Sequence, residues 1–584
     1  MEDSERSASH SSRNNDASQA FAEELFADNG RKPAPVRPAD GPKTQSPATD
    51  TKPNPNNDPA HNEYRTIVED MTYRAEPQHD PNYRKLAHLY DDRIHNNHDA
   101  VAYAAQAVKF FGDRFTQVEL DQTKFPSGTV GIDVKQAPDG DPVHGSDGKP
   151  VAADALQTIN GVKADSAAAK AGLTNGAQIL SIDGIDMHGR TPLEVQTLLD
   201  GAQGTSVDLT VSQNGKSKNV RIERAATPGD PVDGPDGKTG RLGVVVGFLG
   251  QDGKHLSNHT DGIHANTDTN ATTAKPDDVI AWSVVPGSAA AQAGLQRGDV
   301  IRKIDGKPVA GETFDQVLGQ LRGNNGQGVD LDILRQGHPQ QVHATRTLLN
   351  VDDVQTRDMG NGIEYVSMNN FADATGASEL RKVFEANPNA KAFVLDLRNN
   401  PGGRVDQAVS TLELMVKDGT LFNQRQRQSS PPGHEQYDVT KRTVDDTNVN
   451  NVINVDGQDI ANSKPRDMPY LLNGRPVVVL TNGDTASAAE IVTGGLHDNH
   501  VATTIGETSY GKGIGQTEIP GNDSANQYKE KMTNFTWSTP DGTWAGDASK
   551  GRKGLKADVE VADDVPAGDP QLDAAVKLLN DKIK

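Results

Sequence analysis

The sequence predicts a multidomain chain of mixed α+β and α/β type: a disordered N-terminal tail, a helical lead-in, two β-rich modules that repeat one another, and a final domain of alternating strands and helices. Three observations carry this. The first sixty or so positions are rich in Ser, Asn, Asp, Pro and Ala, a composition that cannot bury a core. A block of residues recurs at a fixed offset in the middle of the chain. From about residue 355 onward, β-branched runs alternate with amphipathic helical patterns. A length of 584 residues fits several folded units rather than one large core.

Composition removes several classes of function. A formal net charge of −22 argues against a grip on phosphate backbone or anionic lipid, so no nucleic-acid partner is expected. The absence of cysteine excludes disulfides, thiolate metal sites and a cysteine nucleophile. The start, MEDSERSASHSSRNND, has no basic segment followed by an apolar one, and no uninterrupted apolar run is long enough for a membrane helix. The chain therefore reads as soluble and cytoplasmic, without an integral membrane segment. Sixteen histidines include His95 with His98, and His255, His259 and His264 in a polar stretch. They lack carboxylates or cysteines at a metal-ligand spacing, so no metal site and no cofactor are expected.

The tail is assigned to residues 1–62 and the helical lead-in to 63–122, where YRKLAHLYDDRI and AVAYAAQAVKFF carry apolar residues at helical spacing. The repeat follows, as modules at 123–226 and 238–348. Ser166, Ala171, Gly172, Leu173, Gly176, Ile179, Ile182, Asp183 and Gly184 recur 122 positions later as Ser288, Ala293, Gly294, Leu295, Gly298, Ile301, Ile304, Asp305 and Gly306. Each copy reads as a short helix, a turn, a strand ending at Asp-Gly, then a further helix and strand. Upstream of each lies a glycine beside a strand, in GTVGIDV and RLGVVV. Polar insertions around 136–156 and 249–275 interrupt both copies.

This order, with SAAxxAGL, GDxI and IDG elements, resembles PDZ domains, particularly the circularly permuted kind of bacterial proteases. The resemblance implies a peptide added to a sheet edge, with its terminal carboxylate captured by amides beside the glycine. The candidate peptide-binding residues are then Val130, Gly131 and Ile132 in the first module and Leu242, Gly243 and Val244 in the second. The alternative, that either module only packs against the core, stays open.

The last domain, residues 350–584, is expected to place strands at GIEYVSM, AFVLDL, PVVVLT and ATTIGE, with helices at 373–386, 404–416 and 486–499. PVVVLT runs into Asn482-Gly483-Asp484-Thr485-Ala486-Ser487-Ala488-Ala489-Glu490, so Ser487 falls where a turn becomes a helix. Ser487 with Glu490 also spells a capping box, which alone would be a helix start and nothing more. What lifts it above that is Lys512, 25 residues on, in Gly506-Glu507-Thr508-Ser509-Tyr510-Gly511-Lys512-Gly513-Ile514-Gly515-Gln516. The same stretch nearly spells a P-loop, but Gly513 stands where Ser or Thr would bind magnesium, and the following IGQTEIP reads as strand. His497, ten residues along a helix from Ser487, is about 15 Å away and cannot be its base.

These residues resemble the signature of the C-terminal processing (tail-specific) peptidases, N-x-x-S-A-S-A-x-E-I followed by G-E-x-T-F-G-K-G-x-x-Q, with Thr485 and Tyr510 as departures. Similar matches run from GDRFTQVEL at 112–120 to DPQLDAAVKLL near the end. The resemblance implies a core of ClpP/crotonase type and a serine endopeptidase in which Ser487 is nucleophile, Lys512 its base, and Gln516 the residue that orients the lysine. A hydroxyl needs such a base, and an amine can serve when desolvation keeps it neutral. Asp396-Leu397-Arg398-Asn399-Asn400-Pro401-Gly402-Gly403 is similar to the D-L-R-x-N-x-G-G element, which implies oxyanion donors from Gly402 or Gly403 and from Ala488. Expected partners are protein or peptide substrates with exposed C-terminal tails, with a homo-oligomer or a regulatory adaptor also open. The family's usual compartment is extracytoplasmic or periplasmic, in tension with the missing export signal. The rival reading is a PDZ-tandem scaffold on an inactive peptidase fold.

Overall fold

The computed structural model describes residues 58–75, 83–113, 115–135, 151–226, 239–240, 242–249, 255–260, 278–284, 287–310, 312, 314–347, 354–430, 436–455, 458–521, 528–546, 554–562 and 568–584. Most of the expected tail and of both polar insertions, His264 included, lies outside the described residues. The described part belongs to one compact unit, Asn54–Lys584. No described helix is long and apolar enough to cross a membrane.

The lead-in begins with helix Pro59–Arg74, inside the stretch assigned to the tail, because Pro59 can occupy the first helical turn, where its missing N–H costs nothing. A second long helix, Asn97–Val108, is capped by the Asn96 side chain, which accepts from the Asp99 N–H. Its residues Ala100–Val108 are buried. They share one apolar core with the first repeated module and with Tyr528 and Met532 of the last domain. The second module has an apolar core of its own.

The two modules repeat their atoms as well as their letters. Ser166 and Ser288 cap short helices by accepting from Ala169 and Ala291. Asp183 and Asp305 both sit at positive φ, and their carboxylates accept from Asp208 N–H and Asp330 N–H. Arg224 and Arg346, both buried, donate to the last carbonyls of helices Pro192–Leu199 and Phe314–Leu321. The strands of both modules pair antiparallel; those of the first form separate sheets of three, two and four strands, while most of those of the second join one seven-stranded sheet, and each module carries one short capped helix and one of these longer helices.

The last domain is built on a six-stranded sheet in the order Val354–Asp358, Ile363–Met368, Ala392–Asp396, Val477–Thr481, Ala502–Gly506 and Val559–Glu560. The first pair is antiparallel and the rest are parallel. Ala392–Asp396 and Val477–Thr481 are buried at every position, as strands covered on both faces must be. The covering helices are Gly376–Ala386, Val405–Met415, Ala488–Asp498 and Pro570–Lys582. The first three match the expected helices to within three residues. A second, antiparallel sheet joins Gln117–Leu120 of the lead-in to the long strand Tyr528–Ser538, which also pairs with Ile514–Pro520 and with Gly419–Arg427. The loops that carry the candidate site lie at the C-terminal ends of the parallel strands, where such sheets place ligand sites.

Candidate active site

Ser487 joins strand Val477–Thr481 to helix Ala488–Asp498 with φ 54° and ψ −117°. For a non-glycine residue this is a strained conformation, held only because the surroundings over-determine it. The surroundings are specific. Asn482 accepts from Asn399 N–H and donates to Asn399 Oδ1 at 2.7 Å; Thr485 donates to Leu397 O at 2.8 Å; Ala486 N–H donates to Asn400 O at 2.9 Å. The serine loop and the loop after strand Ala392–Asp396 are thus stitched together.

That second loop is anchored from below. Arg398 binds Asp396 and also Asp569 and Gln571 at the start of the C-terminal helix. Burial alone would push the Asp569 carboxyl up, but the Arg398 hydrogen bonds and charge outweigh it and hold the group below its ordinary range. Asn400, fully buried, donates to Met368 O and accepts from Gly402 N–H at 2.9 Å. Gly402 has φ +92°, and a Cβ there would lie 2.7 Å from Ser487 Cβ and 2.8 Å from Ala488 N. Gly403 has φ +143°, and a Cβ there would lie 2.3 Å from the Phe371 carbonyl carbon. Both positions need glycine for space as well as for conformation.

The lysine loop is fastened to the serine by one carboxylate. Glu490 Oε2 accepts from Ser487 N–H at 2.8 Å and from Lys512 N–H at 2.9 Å. Its Oε1 accepts from Gly511 N–H at 2.8 Å and from the Ser509 hydroxyl at 2.5 Å. The Ser487 and Lys512 amide nitrogens therefore lie within two hydrogen bonds of each other. Burial pushes the Glu490 carboxyl above its ordinary range, against the pull of the bonds from Ser509, Lys512, Gly511 and Ser487. Further fixing comes from Tyr510 N–H on Thr485 O and from the Trp537 indole on Lys512 O. Lys512 Nζ lies 4.3 Å from the centre of the Phe115 ring, which covers it on that side. The Phe115 loop is held in turn by Asp113, which accepts from Phe115 N–H and the Thr116 hydroxyl, and by Thr533 N–H on Thr116 Oγ1.

Gln516 lies on strand Ile514–Pro520, with its amide nitrogen on Thr533 Oγ1 at 3.0 Å. His497 sits at the far end of the serine's helix, against Asp498 and Asp558. Among the described residues no group of three or more His, Cys, Asp or Glu could hold a metal ion.

In the modules, Val130 O accepts from Ala168 N–H, Gly131 N–H donates to Thr129 Oγ1, and Ile132 O accepts from Gln196. In the second, Leu242 O accepts from Ala290 N–H, Gly243 O from the Ser288 hydroxyl, and Val244 pairs with Val284. The sequence did not point to Glu490 as more than a cap or to Gln196 at all, and it gave Asn400 and Phe115 only as members of matched segments, without a role. Glu490 carried one usable signal, an acidic residue on the apolar side of a helix.

Comparison with known proteins assigns these parts. The peptidase family S41 model matches residues 362–561, which include both stitched loops, Ser487 and Lys512. The chain carries an S41 peptidase domain. PDZ domain models match residues 158–213 and 282–335, so the S41 domain stands behind two PDZ domains, the multidomain arrangement expected from the sequence. A carboxy-terminal-processing protease of Bartonella bacilliformis is 34% identical over 45% of this chain and 54% of its own length. The carboxy-terminal processing protease CtpA of Bacillus subtilis is 29% identical over 51% of this chain and 57% of its own. The chain thus spans about half the length of the curated relatives it matches. Among solved structures, a photosystem II D1 C-terminal processing protease overlays with a TM-score of 0.41 at 17% identity, over 89% of this chain and 97% of that one.

Proposed function

We propose that the protein is a serine endopeptidase that cuts protein substrates near exposed C-termini through a Ser487–Lys512 dyad. The observation that carries this reading is the Glu490 carboxylate, which ties the backbone of the serine and of the lysine to the same oxygen. A helix cap needs no such bond to a segment 22 residues away. Ser487 attacks the scissile carbonyl carbon while Lys512, as the neutral amine, takes its proton. The lysine then protonates the leaving amine, and water releases the acyl group by the reverse steps. Gln516 orients Lys512 through its carbonyl oxygen, its amide nitrogen being committed to Thr533.

The oxyanion is received by Ala488 N–H and Gly403 N–H. Gly402 is the weaker candidate because its N–H is already spent on Asn400. Ala488 begins the helix, where first-turn amides have no intrahelical acceptor and the helix dipole favours negative charge. The PDZ domains, a peptide-binding fold, present or gate the substrate tail, and a relative named carboxy-terminal-processing protease supports a C-terminal tail as what is cut.

The test is cleavage of an unfolded protein with a free apolar C-terminus, with products identified by mass spectrometry. Ser487→Ala and Lys512→Ala each lose roughly a thousandfold or more of the rate while keeping the wild-type circular dichroism. Lys512→Arg fails as well, since guanidinium stays protonated. Wild-type turnover by either alanine variant would falsify the dyad.

A further inference from the structure

The strand that follows the first module's glycine, Ile132–Val134, pairs on one side with Ile159–Val162, with Ile132 opposite Val162 and Asp133 opposite Gly161. Lys163 N–H donates to Gly131 O at 3.0 Å, so residues 131 and 133 turn their polar groups toward that neighbour. By the alternation of an antiparallel ladder, Ile132 and Val134 turn theirs to the opposite edge. That edge faces helix Pro192–Leu199, and it is where an incoming peptide would be added as a strand. It is taken. Gln196 Oε1 accepts from Val134 N–H at 3.0 Å, and its Nε2 donates to Ile132 O at 3.2 Å. One side-chain amide supplies the acceptor and the donor that a peptide group would supply.

We propose that Gln196 is a built-in plug that closes the first PDZ domain to peptide tails, and that its rotation opens the domain. This rests on the reading of the PDZ domains as tail binders. The helix that carries the plug is fixed at its C-terminal end. Gln106 donates to Leu198 O, Lys109 to Thr197 O and Asp200 O, and Arg224 to Leu198 O and Leu199 O. Opening the edge by moving the helix would break all of these bonds, whereas turning one side chain breaks the two bonds to the strand and the contact of Nε2 with Asp200 at 3.3 Å.

The repeat supplies an internal control. The position 122 residues on is Leu318, which packs against the second module's apolar core and cannot bridge a strand edge. There the matching strand, Val244–Leu249, is covered by backbone instead, with Val246 opposite Thr260 and Phe248 opposite Leu256. The two copies close the same edge by different means, and only the first does it with one side chain.

The experiment uses the full chain in a Ser487→Ala background, so that nothing is cut. A peptide with a free apolar C-terminus and a photocrosslinking residue two positions before it is irradiated with the protein, and adducts are mapped by mass spectrometry. Gln196→Leu installs the residue that the second module tolerates at the same place, and a thermal melt checks its fold. Freeing the edge from two hydrogen bonds should raise capture at residues 130–134 and 192–199 about tenfold over the parent. Equal capture there in parent and variant overturns the plug while leaving tail binding intact. Capture absent from both modules in every variant overturns the tail-binding reading and the plug with it, an outcome distinct from the cleavage test of the dyad.

Discussion

Glu490 holds the site in register through two oxygens that face only donors: three backbone N–H groups and one hydroxyl. Glutamine in its place would turn an NH2 group toward at least one of those donors, leaving a buried N–H unpaired. Glu490→Gln is therefore expected to cost about 1–3 kcal/mol of stability. It should also lower kcat by roughly a hundredfold with little change in KM, because a nucleophile and base misplaced by about 1 Å lose that much. Steady-state kinetics beside a thermal melt separates the effects; a variant that loses stability but keeps kcat shows that the carboxylate only braces the fold. The residues proposed to react stood out as candidates in the sequence because Ser487, Lys512 and the glycines lie in short motifs of fixed spacing. Glu490 was legible only as half of a capping box, since its other donors, Ser509, Gly511 and Lys512, reach it through the fold. Phe115, some 400 residues before the lysine it covers, stood in the matched segment GDRFTQVEL, but nothing local tied it to the lysine.

Helix Pro59–Arg74 meets strand Tyr528–Ser538 through a pair of acids, and this element contact should make the protein sensitive to alkali. Burial, then the charge and hydrogen bond of Asp70, push the Glu530 carboxyl up to about 8. The titration belongs to the pair rather than to either residue alone. An acid whose folded pKa lies above its unfolded value contributes stability below the unfolded value and loses it as pH rises through the folded one. Stability should then fall between about pH 4.5 and 8 on account of this pair. In Glu530→Gln that slope should flatten, and the variant should melt higher than wild type at pH 8.5. Parallel denaturant titrations at several pH values decide it; identical slopes in the two proteins would remove the pair from the account. Among elements, the parallel strands were legible because Ala392–Asp396 and Val477–Thr481 carry the unbroken apolar runs AFVL and VVVL. The antiparallel sheet was not. Its strands Tyr437–Val444 and Asn448–Val455 read YDVTKRTV and NVNNVINV, too polar for a period to stand out, and they are held by ladder bonds rather than by a buried face.

Over the whole molecule, the two PDZ domains look alike in sequence but are built in differently. The first shares an apolar core with both lead-in helices, and Arg93 fastens it by binding Asp183 at 3.0 Å and Asp208 at 2.7 Å while the Tyr90 hydroxyl donates to Asp183. Arg93 is nearly buried, so losing one partner would leave a charge poorly compensated. The second domain keeps its apolar residues within its own core. Repetition in the sequence could not reveal this, because the partners that distinguish the copies, Tyr90, Arg93, Gln106 and Lys109, all lie outside the repeat. The difference predicts opposite responses to excision. Replacing residues 239–347 by a flexible linker should leave a folded protein that still cuts short peptides within about threefold of wild type, while cleavage of tailed proteins changes more. Replacing residues 128–226 should strip the lead-in core of Val195, Leu198 and Leu209, each buried and each worth a few kcal/mol. The product should aggregate or melt far below wild type. Expression, melting temperature and peptide cleavage of the two deletions settle the matter, and a well-folded, active chain lacking the first domain would show that the shared core is dispensable to the peptidase.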